Sequence, residues 1–204
     1  VDMGRFLTGQ IEAVEGAMLS TFITQRPIPA GQVVGHALAE SSGEYAPVDT
    51  DDVASFTLRF ANGAAGEFSV SRIATGFRNS AGFTLIGERG SASFDTERYA
   101  EFGFFDGSED DALNGFRRVV TGPRHPHLQD ALVMPVAGVG HGYAETFVAQ
   151  AHAFVQAIVS GEQPHPDFSD GYAVALVCEA VQRAAEYGRR VPIAEVAGEV
   201  EGAA

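Results

Sequence analysis

VASFTLRFANGAAGEFSV, residues 53–70, is the stretch from which the fold is read. Phe56, Leu58 and Phe60 alternate with Ser55, Thr57 and Arg59, the period of a strand buried on one face. Beyond Asn62-Gly63, Phe68 and Val70 again hold even positions. A two-residue loop would set Glu67 opposite Leu58 on the apolar face. A three-residue loop, Ala61 to Gly63, pairs Phe56 with Phe68 and Ala54 with Val70, so the apolar faces agree and Gly63 takes the left-handed position of a bulged turn. The same parity puts Arg72 on the apolar side, where an unpaired guanidinium is costly and a polar partner or ligand is expected.

Upstream, residues 10–24 read as a strand that gives way to a loop at Arg26-Pro27-Ile28-Pro29, because two prolines interrupt a ladder. Residues 33–40 read as a short strand and residues 41–51 as a polar connection. Downstream, strands are expected over residues 82–86, 91–94 and 99–105, then an acidic loop over 106–114 and an irregular segment over 121–142. A segment of that length without regular structure is commonly functional. Two helices close the chain. Phe147, Ala151, Phe154, Val155 and Ile158 form one helical stripe, stopped by Gly161. Val174, Val177, Cys178, Val181 and Ala185 form the other, with Ser169 as N-cap, Asp170 in the first turn and Gly188 as the stop. Cys178 is thereby expected to be a small buried apolar residue. Strands first and helices last predict an α+β fold, a largely antiparallel open sheet with helices on one face, over residues 1–196. Residues 197–204 are expected to be a small acidic tail.

Composition narrows the function. Of 204 residues, 13 are Lys or Arg and 27 are Asp or Glu, a net charge of −14 that disfavours nucleic acid and anionic membrane as partners. All the cationic side chains are arginine, so the chain offers no lysine for a Schiff base or a phosphate loop. The single cysteine allows no internal disulfide and no multi-cysteine metal site, and no apolar run approaches the roughly 18 residues of a membrane span. A water-soluble, cytoplasmic protein is expected. The first residues, VDMGRFLTG, read as part of a helix without its start signals, which suggests sequence preceding Val1.

DMGRFLTG at residues 2–9, the FANGAAG hairpin, IGERGSASFD at 86–95, GYAETF at 142–147 and DGYAVALVCEAVQRAAEYGRRVPI at 170–193, in that order, resemble the carboxy-terminal half of the Gfo/Idh/MocA oxidoreductases. The resemblance implies the substrate-binding and oligomerisation part of an NAD(P)-dependent dehydrogenase of a sugar, an inositol-like polyol or a related compound, assembled as a homodimer or homotetramer. NAD or NADP would be bound by an amino-terminal domain, which would also carry the family's Glu-Lys-Pro lysine. The family's catalytic histidine stands three residues before the aspartate that Asp2 resembles, ahead of Val1. No catalytic or cofactor-binding residue is therefore expected in this chain, which alone should be inactive. The alternative is a stand-alone binding or dimerisation module.

Several residues are candidate substrate contacts. His141 stands in the loop before GY, which carries a substrate-facing histidine in some members, although at the place of Val139 here. Neutral imidazole donates and accepts at once, which suits a sugar hydroxyl. Arg72, Arg78 and Asn79 lie in SRIATGFRN, which resembles a substrate-bordering segment, and a guanidinium grips hydroxyls with a fixed fork. His125 and His127 have metal-like spacing but no evident third ligand, so His127 reads as part of a substrate-rim loop and no metal is expected. Gly138 to Gly142 lacks the preceding strand of a dinucleotide fingerprint. Arg72 and His141 are expected to share one pocket facing the amino-terminal domain.

Overall fold

The structure, a computed structural model describing residues 1–32, 40–110, 112–126, 128 and 131–202, runs in order through α1 (Asp2–Thr8), β1 (Ile11–Ser20), β2 (Gln25–Pro29), β3 (Ser41–Pro47), β4 (Val53–Phe60), β5 (Ala65–Ser71), β6 (Gly82–Gly87), β7 (Gly90–Asp95), a 3-10 turn (Thr96–Arg98), β8 (Glu101–Asp106), β9 (Arg117–Val120), α2 (Tyr143–Ser160), α3 (Phe168–Tyr187), β10 (Val191–Pro192) and α4 (Ile193–Gly202). It divides into two units, Val1–Thr75 with Pro166–Ala204, and Gly76–His165. Every strand pairing among the described residues is antiparallel. The expected strand at residues 33–40 falls almost wholly outside the described residues.

In the first unit the sheet order is β10-β1-β4-β5. The 53–70 hairpin closes through Ala61 to Gly63, with Phe56 opposite Phe68, Ala54 opposite Val70, and Gly63 at φ 89°. That register stacks the Phe56 and Phe68 rings, centroids 5.3 Å apart. On the other side of β4, Leu58 faces Val14. Bulges in β1 let Ala13 and Val14, neighbours in sequence, both be buried, because an extra residue breaks the strict two-residue alternation. Helix α3 covers this face with Leu176, Val177, Ala180, Val181 and Ala184, and Val191 of β10 and Val196 of α4 complete the core.

Several expectations are corrected. The 25–29 segment is not a loop: β2 pairs with β3, Pro27 opposite Tyr45, with a register shift before Pro29 meets Ser41. In a two-stranded ribbon both strands are edges, where proline's missing donor is tolerated. The same ribbon claims much of the polar connection expected over 41–51. The N-cap of α3 is Asp167, two residues before Ser169; it accepts the Ser169 N–H at 2.7 Å while Asp170 accepts the Asp167 N–H at 3.1 Å. Cys178 is exposed, because the buried stripe centres on Leu176, Val177, Ala180 and Ala184. The tail after Val196 continues as helix to Gly202. Arg72 lies just past the end of β5 and is exposed, its backbone N–H bonded to the Asp52 carbonyl; β5 is an edge strand, and the apolar face is already open at Val70.

The second unit carries a separate sheet, β6-β7-β8-β9, and helix α2. The short β9, Arg-Arg-Val-Val, was not anticipated and pairs with β8, Glu101 opposite Val120. Helix α2 ends at Gly161, in the left-handed conformation its sequence demanded. Its apolar stripe is nevertheless uncovered, with Phe154 60% and Ile158 65% exposed. Among the described residues no helix is long and apolar enough to cross a membrane.

Candidate functional site

Two strand ends and one helix start assemble the candidate site in the second unit. The β8–β9 register continues one residue beyond the strands, where the Thr121 N–H donates to the Ala100 carbonyl at 2.8 Å. The Thr121 hydroxyl also approaches that carbonyl, Oγ1 to O 3.0 Å, and lies 2.7 Å from His141 Nε2. His141 thus lies at the end of the sheet. One residue on, the Gly142 N–H donates to Glu145 Oε2 at 2.8 Å, capping α2. That N–H, then the N–H of Glu145 itself, then the neighbouring His141 hold the Glu145 carboxyl below the usual carboxylate range, against the opposing effect of burial.

His141 and Gly142 line an open cavity of about 490 Å³ with Arg98, Tyr99, Glu101 and Arg118. Arg98 and Arg118 both pair with Glu101, at 3.3 and 3.4 Å. The aromatic rings run in contact from Phe94 through Tyr99 and Tyr143 to Phe147, which braces the cavity wall against the start of α2. A larger cleft of about 840 Å³ extends over the sheet from Arg98 and Glu101 past Phe102 and Phe116. Paired guanidinium and carboxylate groups beside aromatic rings suit a neutral polyhydroxylated molecule: the charged groups bond hydroxyls, the rings cover apolar C–H edges, and no net charge excludes the ligand.

The residues singled out by sequence separate into the two units. His141, partly buried, is at the cavity. Arg78 and Asn79, in the same unit, lie in an exposed bend, with Asn79 in the left-handed region at φ 54°. Arg72 belongs to the first unit. Neither Arg72 nor Arg78 makes an ion pair among the described residues. His127 lies outside the described residues. Sequence reasoning missed Thr121, Tyr99 and Glu145. Glu145 had a signal, an acidic residue three positions after the residue that opens the helix; Thr121 had none.

The family model described as the oxidoreductase family, C-terminal alpha/beta domain, of the Gfo/Idh/MocA type, matches residues 1–193. A levoglucosan dehydrogenase of Pseudarthrobacter phenanthrenivorans is 39% identical over 187 residues, which cover 91% of this chain and 47% of that protein. The solved structure of a levoglucosan dehydrogenase in complex with NADH and levoglucosan is similar at a TM-score of 0.82 and 38% identity, over 94% of this chain and 47% of that one. An oxidoreductase domain protein from Kribbella flavida is similar at a TM-score of 0.81 and 35% identity, over 95% of this chain and 49% of that one. The chain therefore spans about half the length of the relatives it matches.

Proposed function

The chain belongs to the Gfo/Idh/MocA oxidoreductases as their C-terminal α/β domain, and from that premise we propose that it forms the substrate side of an NAD(P)-dependent dehydrogenase acting on a sugar or polyol. The observation that carries this reading is 39% identity to a levoglucosan dehydrogenase over 91% of the chain. The polar, charge-balanced cavity at His141 supports it from the structure.

The glycine-rich loop at residues 138–142 does not fit a nicotinamide dinucleotide. A dinucleotide needs a glycine-rich turn between a strand and a helix whose first N–H groups are open to phosphate. No strand directly precedes residues 138–142 among the described elements, and the Gly142 N–H is already taken by Glu145. A carboxylate thus holds the position a phosphate would need. In this reading NAD or NADP is bound by the portion corresponding to the rest of the relatives' length, together with the histidine and lysine that the family resemblance assigns to proton transfer.

This domain's part is to hold and orient the substrate. Within the second unit His141, Arg78 and Asn79 are the proposed contacts, with His127 added on sequence grounds. Arg72 in the first unit is proposed separately, on its exposed guanidinium, which makes no ion pair among the described residues. A homodimer or homotetramer is supported by the bare apolar stripe of α2, since large exposed apolar patches mark interfaces. The test is the intact enzyme containing this chain, assayed with NAD and NADP against levoglucosan, L-sorbose and inositol, with sedimentation on the same preparation. Reduction of a cofactor by one of these and a mass of two chains or more are expected. A clean monomer inert toward all of them would refute the reading.

A further inference from the structure

Two short contacts converge on the Thr121 hydroxyl, 3.0 Å to the Ala100 carbonyl oxygen and 2.7 Å to His141 Nε2. A hydroxyl carries one proton and a carbonyl oxygen none. The hydroxyl proton must therefore lie between Oγ1 and Ala100, since otherwise two oxygens would face each other at bonding distance with no proton between them. The proton in the shorter contact must then come from the ring. We infer that Thr121 is a positioning residue that fixes His141 as its Nε2–H tautomer, which leaves Nδ1 of the neutral ring as an acceptor and makes His141 a reader of a substrate O–H rather than of an ether or carbonyl oxygen.

The surroundings agree with this assignment. Thr121 is itself held by backbone, because its N–H bonds the same Ala100 carbonyl at the end of the β8–β9 ladder, so the hydroxyl is anchored to the sheet. Nδ1 has no partner among the described residues. Three other polar groups of the cavity wall are engaged, Arg98 and Arg118 on Glu101 and the Gly142 N–H on Glu145. An acceptor turned toward a sugar selects the hydroxyls that still carry a proton, and it distinguishes a carbinol from the carbonyl that oxidation would leave at the same carbon. The choice of ligand rests on the dehydrogenase reading above; the tautomer does not.

The tautomer is read directly from the nitrogen resonances of the chain labelled with 15N-histidine, in mildly alkaline buffer where an ordinary imidazole is neutral. The wild-type ring should show a protonated Nε2 and a bare Nδ1. Thr121→Val, which keeps the shape and loses the hydroxyl, should give an averaged mixture of tautomers, and Thr121→Ser should restore the single form. A proton on Nδ1 in the wild type overturns the inference, as does a Thr121→Val ring indistinguishable from wild type; should that variant fail to fold, the wild-type spectrum still decides. The second arm uses the intact enzyme and levoglucosan analogues in which each hydroxyl in turn is replaced by fluorine, which accepts but does not donate. Replacement at one position should raise the dissociation constant about tenfold, the worth of one buried hydrogen bond, in wild type and Thr121→Ser, and by less than about twofold in Thr121→Val, where the bond is already lost. Equal discrimination in all three would refute the role in substrate reading. An intact enzyme that oxidises no sugar would instead refute the functional reading, and the ring spectrum would still decide the tautomer.

Discussion

Asp52 shows how one side chain organises a turn. It is 2% exposed, and its two oxygens hold the segment that follows β1: Oδ2 accepts the N–H groups of Ile23 at 2.7 Å and Phe22 at 2.8 Å, and Oδ1 accepts Arg26 Nη2 at 2.6 Å. The Ile23 N–H foremost, then the Phe22 N–H and the Arg26 guanidinium, keep its carboxyl below the usual carboxylate range although burial opposes them. A carboxyl whose pKa is lower folded than unfolded binds more protons unfolded, so its stabilisation is present above the unfolded value, about pH 4, and is lost as pH falls through the folded value. Asp52→Asn should therefore be less stable than wild type at neutral pH, and the gap should narrow as the pH is taken below about 4. Urea midpoints of both proteins against pH provide the check; a gap independent of pH would mean that the ionised form contributes nothing.

At the scale of elements, β4 is an interior strand of the first sheet, lying between β1 and β5. Leu58, 1% exposed, meets Val14 on one side and Gly66 on the other. Leu58→Ala should cost about 2–5 kcal/mol by leaving a cavity in a close-packed site, whereas Val70→Ala, at a position 58% exposed in β5, should cost less than about 0.5 kcal/mol. Guanidinium chloride unfolding distinguishes the two. These elements were legible because their information is local: two-residue alternation set the hairpin register, and Gly63, Gly161 and Gly188 marked the turn and the helix ends. The β2–β3 ribbon was not legible, since its prolines and polar residues carry no apolar period and its pairing depends on a distant partner. The face of α3 was misplaced at Cys178 because alanines at 180 and 184 fill the stripe, and alanine signals little by hydropathy. His141 stood out as a histidine in a glycine-rich loop before a helix. Its partner Thr121 is 20 residues away and meets it only at the end of the sheet.

At the scale of the whole molecule, the chain corresponds to about half the length of its relatives. It has a cavity suited to a neutral polyhydroxylated ligand and a helix start already capped by its own Glu145. It contains no lysine. We propose that this domain supplies the substrate side of the enzyme and not the cofactor side. Titration calorimetry with NADH and NADPH, on the chain alone and on the intact enzyme, tests it most directly. The intact enzyme should bind one cofactor near micromolar, about −8 kcal/mol, and the chain alone neither cofactor tighter than millimolar, about −4 kcal/mol. Micromolar binding by the chain alone would contradict it.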